Sequence, residues 1–298
     1  MKYYLLLLRP AHWAKNLFLL IPSFFAGALF VPSTMLLLIG GFVSFCFLAS
    51  GIYIINDYRD IEDDRKHPEK CKRPLAAGKV KKSNALIICL LLILGGIAIG
   101  YTVDNTMQFL FIVGIYFLMN LAYSFGFKNI AILDILILAA GFVLRVKGGG
   151  VISNVDISAW LIIMTFLLAL FIAIAKRRDD LLLKISTGND MRKAIKGYNL
   201  DFLNTMLGLF CAIIIVAYIM YTVDNGTLAR LGTYRLYYTS VFVIAGVMRY
   251  LQITFVLQKS GSPTEILFKD RFIQVTILLW IASFYAILYL KNVTIFRK

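Results

Sequence analysis

The chain has 298 residues, 60% of them hydrophobic, and a formal net charge of +15. That apolar share is well above the roughly 45–50% of soluble domains. Apolar runs of about 20 residues recur along nearly the whole length, which excludes an ordinary soluble globule and points to an all-α, polytopic membrane helix bundle. The basic balance then reads as positive charge in cytoplasmic loops and as phosphate binding, not as nucleic-acid binding.

Nine spans are expected, over residues 14–31, 34–55, 84–102, 106–125, 129–147, 157–176, 201–222, 235–257 and 271–290. Ahead of the first, Arg9-Pro10, His12-Trp13 and Lys15-Asn16 either form an interfacial belt or line the mouth of a pocket. Arg9, His12 and Lys15 interrupt the first apolar stretch and no small-residue cleavage pattern follows, so no cleavable signal is expected. Cys46, Cys71, Cys89 and Cys211 are scattered and form no CxxC pair, which predicts neither a disulfide framework nor a zinc site. No soluble insertion is visible, so residues 1–298 read as a single membrane domain.

Its longest polar segments are 56–83 and 177–200. The first holds nine Lys/Arg, and the second adds Arg177, Arg178, Lys184, Arg192, Lys193 and Lys196. Loops on the opposite side, such as Val31-Pro32-Ser33 and Asp104-Asn105, are short and nearly uncharged. This asymmetry predicts the N-terminus and both polar segments in the cytoplasm and the C-terminus outside, with Arg230 and Arg235 running against the rule.

The densest chemistry lies where the second span ends. Asn56, Asp60 and Asp64 recur every four residues, so a helix places them on one face with Asp57 beside them. A carboxylate row with no neutraliser of its own is costly, and hard oxygens favour Mg²⁺, which takes one or two carboxylates plus substrate phosphates. Lys70 and Arg73 follow as phosphate clamps, while His67 fits a surface or helix-capping role equally well. Glu62 and Asp63 face away from the row. Between spans four and five, the hydroxyls of Tyr123 and Ser124 and the ammonium of Lys128, followed by Asp134, can hold phosphate oxygens or anchor the interface. Arg145, followed by Lys147 and Gly148-Gly149-Gly150, is a cation inside an apolar span. It marks a functional site or snorkels to the outer interface. Lys176-Arg177-Arg178 can bind a diphosphate or anionic lipid heads. Asp179 and Asp180 behind them either complete a second metal site or pair charges on an exposed turn.

The run Asn56 to Asp64 resembles the NDxxDxxxD motif of the intramembrane UbiA-type prenyltransferases, and His67-Pro68, Lys70, Arg73-Pro74 and Gly78 extend the match. Within that superfamily the chain is most similar to the decaprenyl-phosphate phosphoribosyltransferase branch. The similarity lies at Arg9-Pro10, Trp13, Lys15-Asn16, Tyr123-Ser124, Lys128, Asp134, Gly141 to Arg145, Lys176-Arg177, and Pro263, Glu265, Asp270-Arg271 and Gln274. One departure matters. The second acidic motif usual after span six is replaced by Lys176-Arg177-Arg178 ahead of Asp179-Asp180. More positive charge there suits a substrate with more negative charge, such as phosphoribosyl diphosphate, which carries a 5-phosphate as well.

The resemblance implies an Mg²⁺-dependent membrane transferase. Asn56, Asp60 and Asp64, with Asp57 nearby, would hold the metal, and Asp57, Asp60 and Asp64 would be catalytic. Lys15, Asn16, Lys70, Arg73, Tyr123, Ser124, Lys128, Asp134, Arg145, Lys176 and Arg177 would bind substrate. A 5-phosphoribosyl group would pass from phosphoribosyl diphosphate to a polyprenyl phosphate at the cytoplasmic face of the cell membrane, in lipid-linked sugar biosynthesis. Two alternatives stay open: prenyl transfer to an aromatic or lipid acceptor, which needs a second acidic cluster, and transport, which discontinuous helices at mid-membrane would favour. Membrane lipids are the expected surroundings, nucleic acid is not an expected partner, and a homo-oligomer is left open.

Overall fold

The computed structural model describes residues 2–66, 70–187, 193–257, 266 and 269–289, and its regular elements are all helical. The chain forms two compact units, Met1–Ile157 and Ser158–Lys298.

In the first unit, α1 (Lys2–Leu8) leads into a 3-10 helix (Pro10–Leu20) and α2 (Ile21–Phe25). Then come α3 (Pro32–Arg59), α4 (Ile61–Lys66), α5 (Lys82–Val103), α6 (Gln108–Phe125) and α7 (Leu133–Ser153). In the second unit, α8 (Ala159–Thr187), α9 (Leu200–Val223), α10 (Asn225–Leu231), α11 (Ser240–Phe255) and α12 (Arg271–Tyr289) follow. Seven of the described helical segments are long and apolar enough to cross a membrane: 32–59, 82–103, 108–125, 133–153, 159–186, 200–223 and 235–255. The apolar stretch Arg271–Ile287 is shorter.

The expected first span, 14–31, is not one helix. Pro22 has no amide N–H, and its ring would strike the carbonyl four residues back in a continuous α-helix. The chain instead runs as a 3-10 helix to Leu20, restarts as five residues of α-helix and turns out at Ala26. With 14–31 broken and Arg271–Ile287 shorter, seven of the nine expected crossings are long and apolar enough among the described residues.

The long central helix α3 organises the first unit, packing against α1, α5, α6, α7 and the 3-10 helix. Its middle buries Leu38, Phe45, Leu48 and Ile52 against Val103, Phe109, Val113 and Tyr116. Phe45 meets Phe109 and Tyr116 edge-on, at 5.7 and 5.4 Å between ring centres. Gly149 on α7 lets the 3-10 helix lie against it, because a Cβ there would stand 1.9 Å from the Leu19 carbonyl oxygen.

At 28 residues α3 is about 42 Å long, some 12 Å more than a hydrocarbon core of about 30 Å. Its last turns, bearing Asn56 and Asp57, therefore outlast the apolar layer. A second apolar cluster of Leu7, Ile54, Ile61, Leu75, Val80 and Ala85 lies beneath this end. Leu75 and Val80 of this cluster, and Ala76 between them, are buried, so residues 73–80 form a folded turn rather than a solvated strand of charge. Backbone bonds from Ala77 to the Arg73 carbonyl (2.8 Å) and from Lys79 to the Pro74 carbonyl (2.9 Å) fix it.

In the second unit α8 packs on α9, and α11 on α9 and α12. Trp280 Nε1 donates to the Tyr218 hydroxyl at 2.7 Å, and that hydroxyl pairs with Thr239 Oγ1 at 2.7 Å, so three polar groups satisfy one another inside an apolar interior.

Candidate active site

The four oxygen donors read from the sequence do sit together at the end of α3, but not as one row. The backbone bonds Asp60 N to Asn56 O (3.0 Å) and Asp64 N to Asp60 O (2.7 Å) keep the helical register, while the chain bends at Asp60 (φ −94°, ψ 10°) between α3 and α4. The bend sorts the donors into two pairs. Lys128 Nζ donates to both carboxylate oxygens of Asp60, at 2.6 and 2.7 Å, and to Asn56 Oδ1 at 3.3 Å. Arg73 Nη1 donates to Asp64 Oδ2 at 2.7 Å and to Asp57 Oδ1 at 3.1 Å. Asp57 also accepts from Arg9 Nη2. Asp57 and Asp64 are almost fully buried.

The acids therefore have built-in neutralisers, contrary to the expectation drawn from their spacing. Those cations come from positions that helical periodicity does not relate to the acids. Arg9 is one that the sequence placed in an interfacial belt or at the mouth of a pocket, without an acid partner. It takes a left-handed backbone conformation (φ 52°) between α1 and the 3-10 helix, and its guanidinium also lies over the Tyr53 ring at 5.1 Å. Non-glycine residues hold that conformation at a cost of about 1–2 kcal/mol, offset here by the ion pair and ring contact.

Lys128 is aimed by the end of α6. Arg59 donates to the Ser124 carbonyl, and its guanidinium sits 4.0 Å from the centre of the Phe125 ring. Gly126 (φ 150°) then turns the chain into the 3-10 turn Phe127–Asn129. Arg59 thus ties the tip of α6 to α3 beside the acids. No sequence spacing marked it, since its partners are a carbonyl and a ring. Ser124 and Asp134 are buried close by in the chain, and Tyr123 and Lys70 are half-buried. Glu62 faces outward with Arg65 at 2.9 Å, as its helical phase predicts.

Deeper in the unit, Arg145 neither snorkels nor reaches the acids. It is buried on α7, where Nε donates to Asn16 Oδ1 (2.7 Å), Nη1 to the Gly141 carbonyl (2.8 Å) and Nη2 to the Tyr116 hydroxyl (2.8 Å). Its guanidinium also lies 4.6 Å from the Tyr116 ring centre. Asn16 completes the link by donating to Cys46 Sγ at 3.2 Å. The pair joins the 3-10 helix, α3, α6 and α7, with Lys15 half-buried next to it.

The family model for the UbiA prenyltransferase family matches residues 16–273. The chain belongs to that family.

This UbiA-family chain is similar to the decaprenyl-phosphate phosphoribosyltransferase of Corynebacterium glutamicum, at 31% identity over 92% of the chain and 83% of the relative. It is also similar to the enzyme of that name from Mycolicibacterium smegmatis, at 32% identity over 94% and 91%. Its fold is that of a UbiA homologue from Archaeoglobus fulgidus solved with GPP and Mg²⁺, with a TM-score of 0.72 at 20% identity, covering 96% of this chain and 99% of that one. The protein is a multi-pass membrane transferase of the UbiA family.

Among the described residues, no three acidic, histidine or cysteine side chains converge on one metal position. The donor set nevertheless suits a hard cation. Three oxygens of Asn56 and Asp60 already surround one ammonium, and Mg²⁺ needs only one or two carboxylates when phosphates and water supply the rest.

In the second unit, the expected phosphate clamps at the end of α8 split. Lys176 is exposed, whereas Arg177 is buried and pairs with Asp180 one turn on at 2.6 Å. Arg178 is buried too, donating to Asn204 Oδ1 (2.7 Å) on α9. His67, Pro263 and Glu265, which carry part of the family resemblance, lie outside the described residues.

Proposed function

We propose that this protein transfers the 5-phosphoribosyl group of phosphoribosyl diphosphate to a decaprenyl-like polyprenyl phosphate, releasing diphosphate, at the cytoplasmic end of the first unit. The observation that carries the reading is the pairing of three carboxylates with three basic side chains at one polar end: Asp57 with Arg9 and Arg73, Asp64 with Arg73, and Asp60 with Lys128. Such a set can take both a divalent cation and several phosphate groups. Full-length similarity to relatives named for this reaction supports the choice of donor and acceptor.

Asn56, Asp60 and Asp64, with Asp57 behind them, would hold Mg²⁺, which supplies charge neutralisation for the leaving diphosphate. Arg73 and Lys128 would turn to phosphate oxygens as charge-assisted donors, with Lys70, Tyr123 and Ser124 around them. Lys15, Asn16, Asp134 and Arg145 are proposed as the frame holding the substrate. As the ribosyl–oxygen bond to diphosphate breaks, the polyprenyl phosphate oxygen attacks the ribosyl carbon. That oxygen is already ionised at neutral pH, so neither a protein nucleophile nor a strong general base is needed. Positioning and preorganised charge carry the rate.

The test uses purified protein with Mg²⁺ and polyprenyl phosphate, comparing labelled phosphoribosyl diphosphate with labelled isoprenyl diphosphates. Ribosyl label entering the lipid phase, lost on chelation and restored by Mg²⁺, is expected. Label moving only from an isoprenyl diphosphate to an aromatic acceptor would replace this reading with prenyl transfer.

A further inference from the structure

We infer that the acidic site is self-neutralised at rest, so that metal and diphosphate enter it as a coupled pair by exchanging partners with Arg73 and Lys128. The inference rests on the metal- and diphosphate-binding reading above and goes beyond it in assigning the basic side chains a second role as competitors of the metal.

The geometry is specific. Lys128 Nζ lies within 3.3 Å of Asn56 Oδ1 and of both Asp60 oxygens, so it occupies the point where those donors converge. A divalent ion at ligand distance from the same oxygens cannot share that point with an ammonium, because the two positive charges would repel at contact range. Arg73 stands in the same relation to Asp57 and Asp64. Both cations are held away from bulk water, with side-chain exposures of 19% for Lys128 and 26% for Arg73. Once displaced, each would be a half-buried positive charge without an acid, an unfavourable state unless an anion replaces the carboxylate.

Diphosphate is such an anion. With it present, the acids can turn to the metal and the basic side chains to phosphate oxygens, and every charge keeps a partner. Either ligand alone leaves one set of protein charges exposed. Binding of each ligand must therefore favour the other, by the same factor in both directions. Asp57 is the fixed part of the device, because Arg9 still pairs with it when Arg73 leaves.

The experiment measures Mn²⁺ binding by the loss of free-ion paramagnetic resonance signal, and separately the Mn²⁺-dependent capture of ³²P-diphosphate. It uses the full chain in lipid nanodiscs. Lys128→Met should bind Mn²⁺ alone about tenfold tighter than the unsubstituted chain, while its capture of diphosphate weakens about tenfold. Lys128→Arg, which keeps the charge, should stay close to the unsubstituted chain in both. Asp60→Asn should lose Mn²⁺ in either background. Lys128→Met binding Mn²⁺ alone no more tightly, with Asp60→Asn still abolishing it, would overturn the exchange and leave the metal site standing. Unchanged Mn²⁺ binding in Asp60→Asn would overturn the metal site itself. If Lys128→Met does not fold, Lys128→Gln is read by the same criterion.

Discussion

The polar ends of the two units solve the same problem differently. In the first, Asp57, Asp60 and Asp64 meet cations 9 to 68 positions away in the sequence, on separate elements. In the second, Arg177 pairs with Asp180 three residues on, along one helix face. A local pair of that kind forms with the helix and stays with it. Pairs carried on separate elements are assembled only by the tertiary fold, and a modest movement of the Lys128 loop or the Arg73 turn can separate them. The first arrangement is suited to exchanging partners with a ligand, and the second to holding a helix end in shape.

Substitution at matched acids should separate the two regions most strongly. Asp64→Asn should lower kcat/KM for phosphoribosyl transfer by about a thousandfold or more, whereas Asp180→Asn should lower it by less than about tenfold. Equal losses would erase the distinction between the two polar ends. Next comes the frame beneath the first site. Arg145→Met removes three hydrogen bonds from an interior position and leaves Asn16 Oδ1 and the Tyr116 hydroxyl without their donor. A loss of about 3 kcal/mol is expected, read as a lowered unfolding midpoint in detergent. A variant as stable as the parent but inactive would move Arg145 from the frame to the substrate.

The smallest effect belongs to the start of α12 in the second unit. Arg249 hydrogen-bonds Asp270 and holds its carboxyl below the usual carboxylate range, against the opposing effect of burial and with help from the Ile273 N–H. A depressed folded pKa means that the contribution is complete above about pH 4, the unfolded value, and fades as pH falls through the lower folded one. Asp270→Ala should therefore cost about 1 kcal/mol at pH 7 through the lost helix cap, with the difference shrinking in strong acid. A difference that grows on acidification would contradict the ion pair.

Much of the molecule could be read from the amino-acid order. Long apolar runs have one low-energy form in a bilayer, the helix, because it satisfies every backbone group within itself. The lengths of α3 and α5 to α9 follow from that. The family and its first motif were legible for a related reason, since the spacing Asn56-Asp60-Asp64 is a local helical relation that survives the bend at Asp60.

The tertiary structure decided what periodicity cannot encode. It placed Arg9, Arg73 and Lys128 on the acids, set Arg59 on a carbonyl and a ring, and turned Arg145 inward to Asn16 and Tyr116. It also broke the first expected span at Pro22. Attraction between charges depends on their separation in space, and the folded chain alone sets that distance for residues dozens of positions apart.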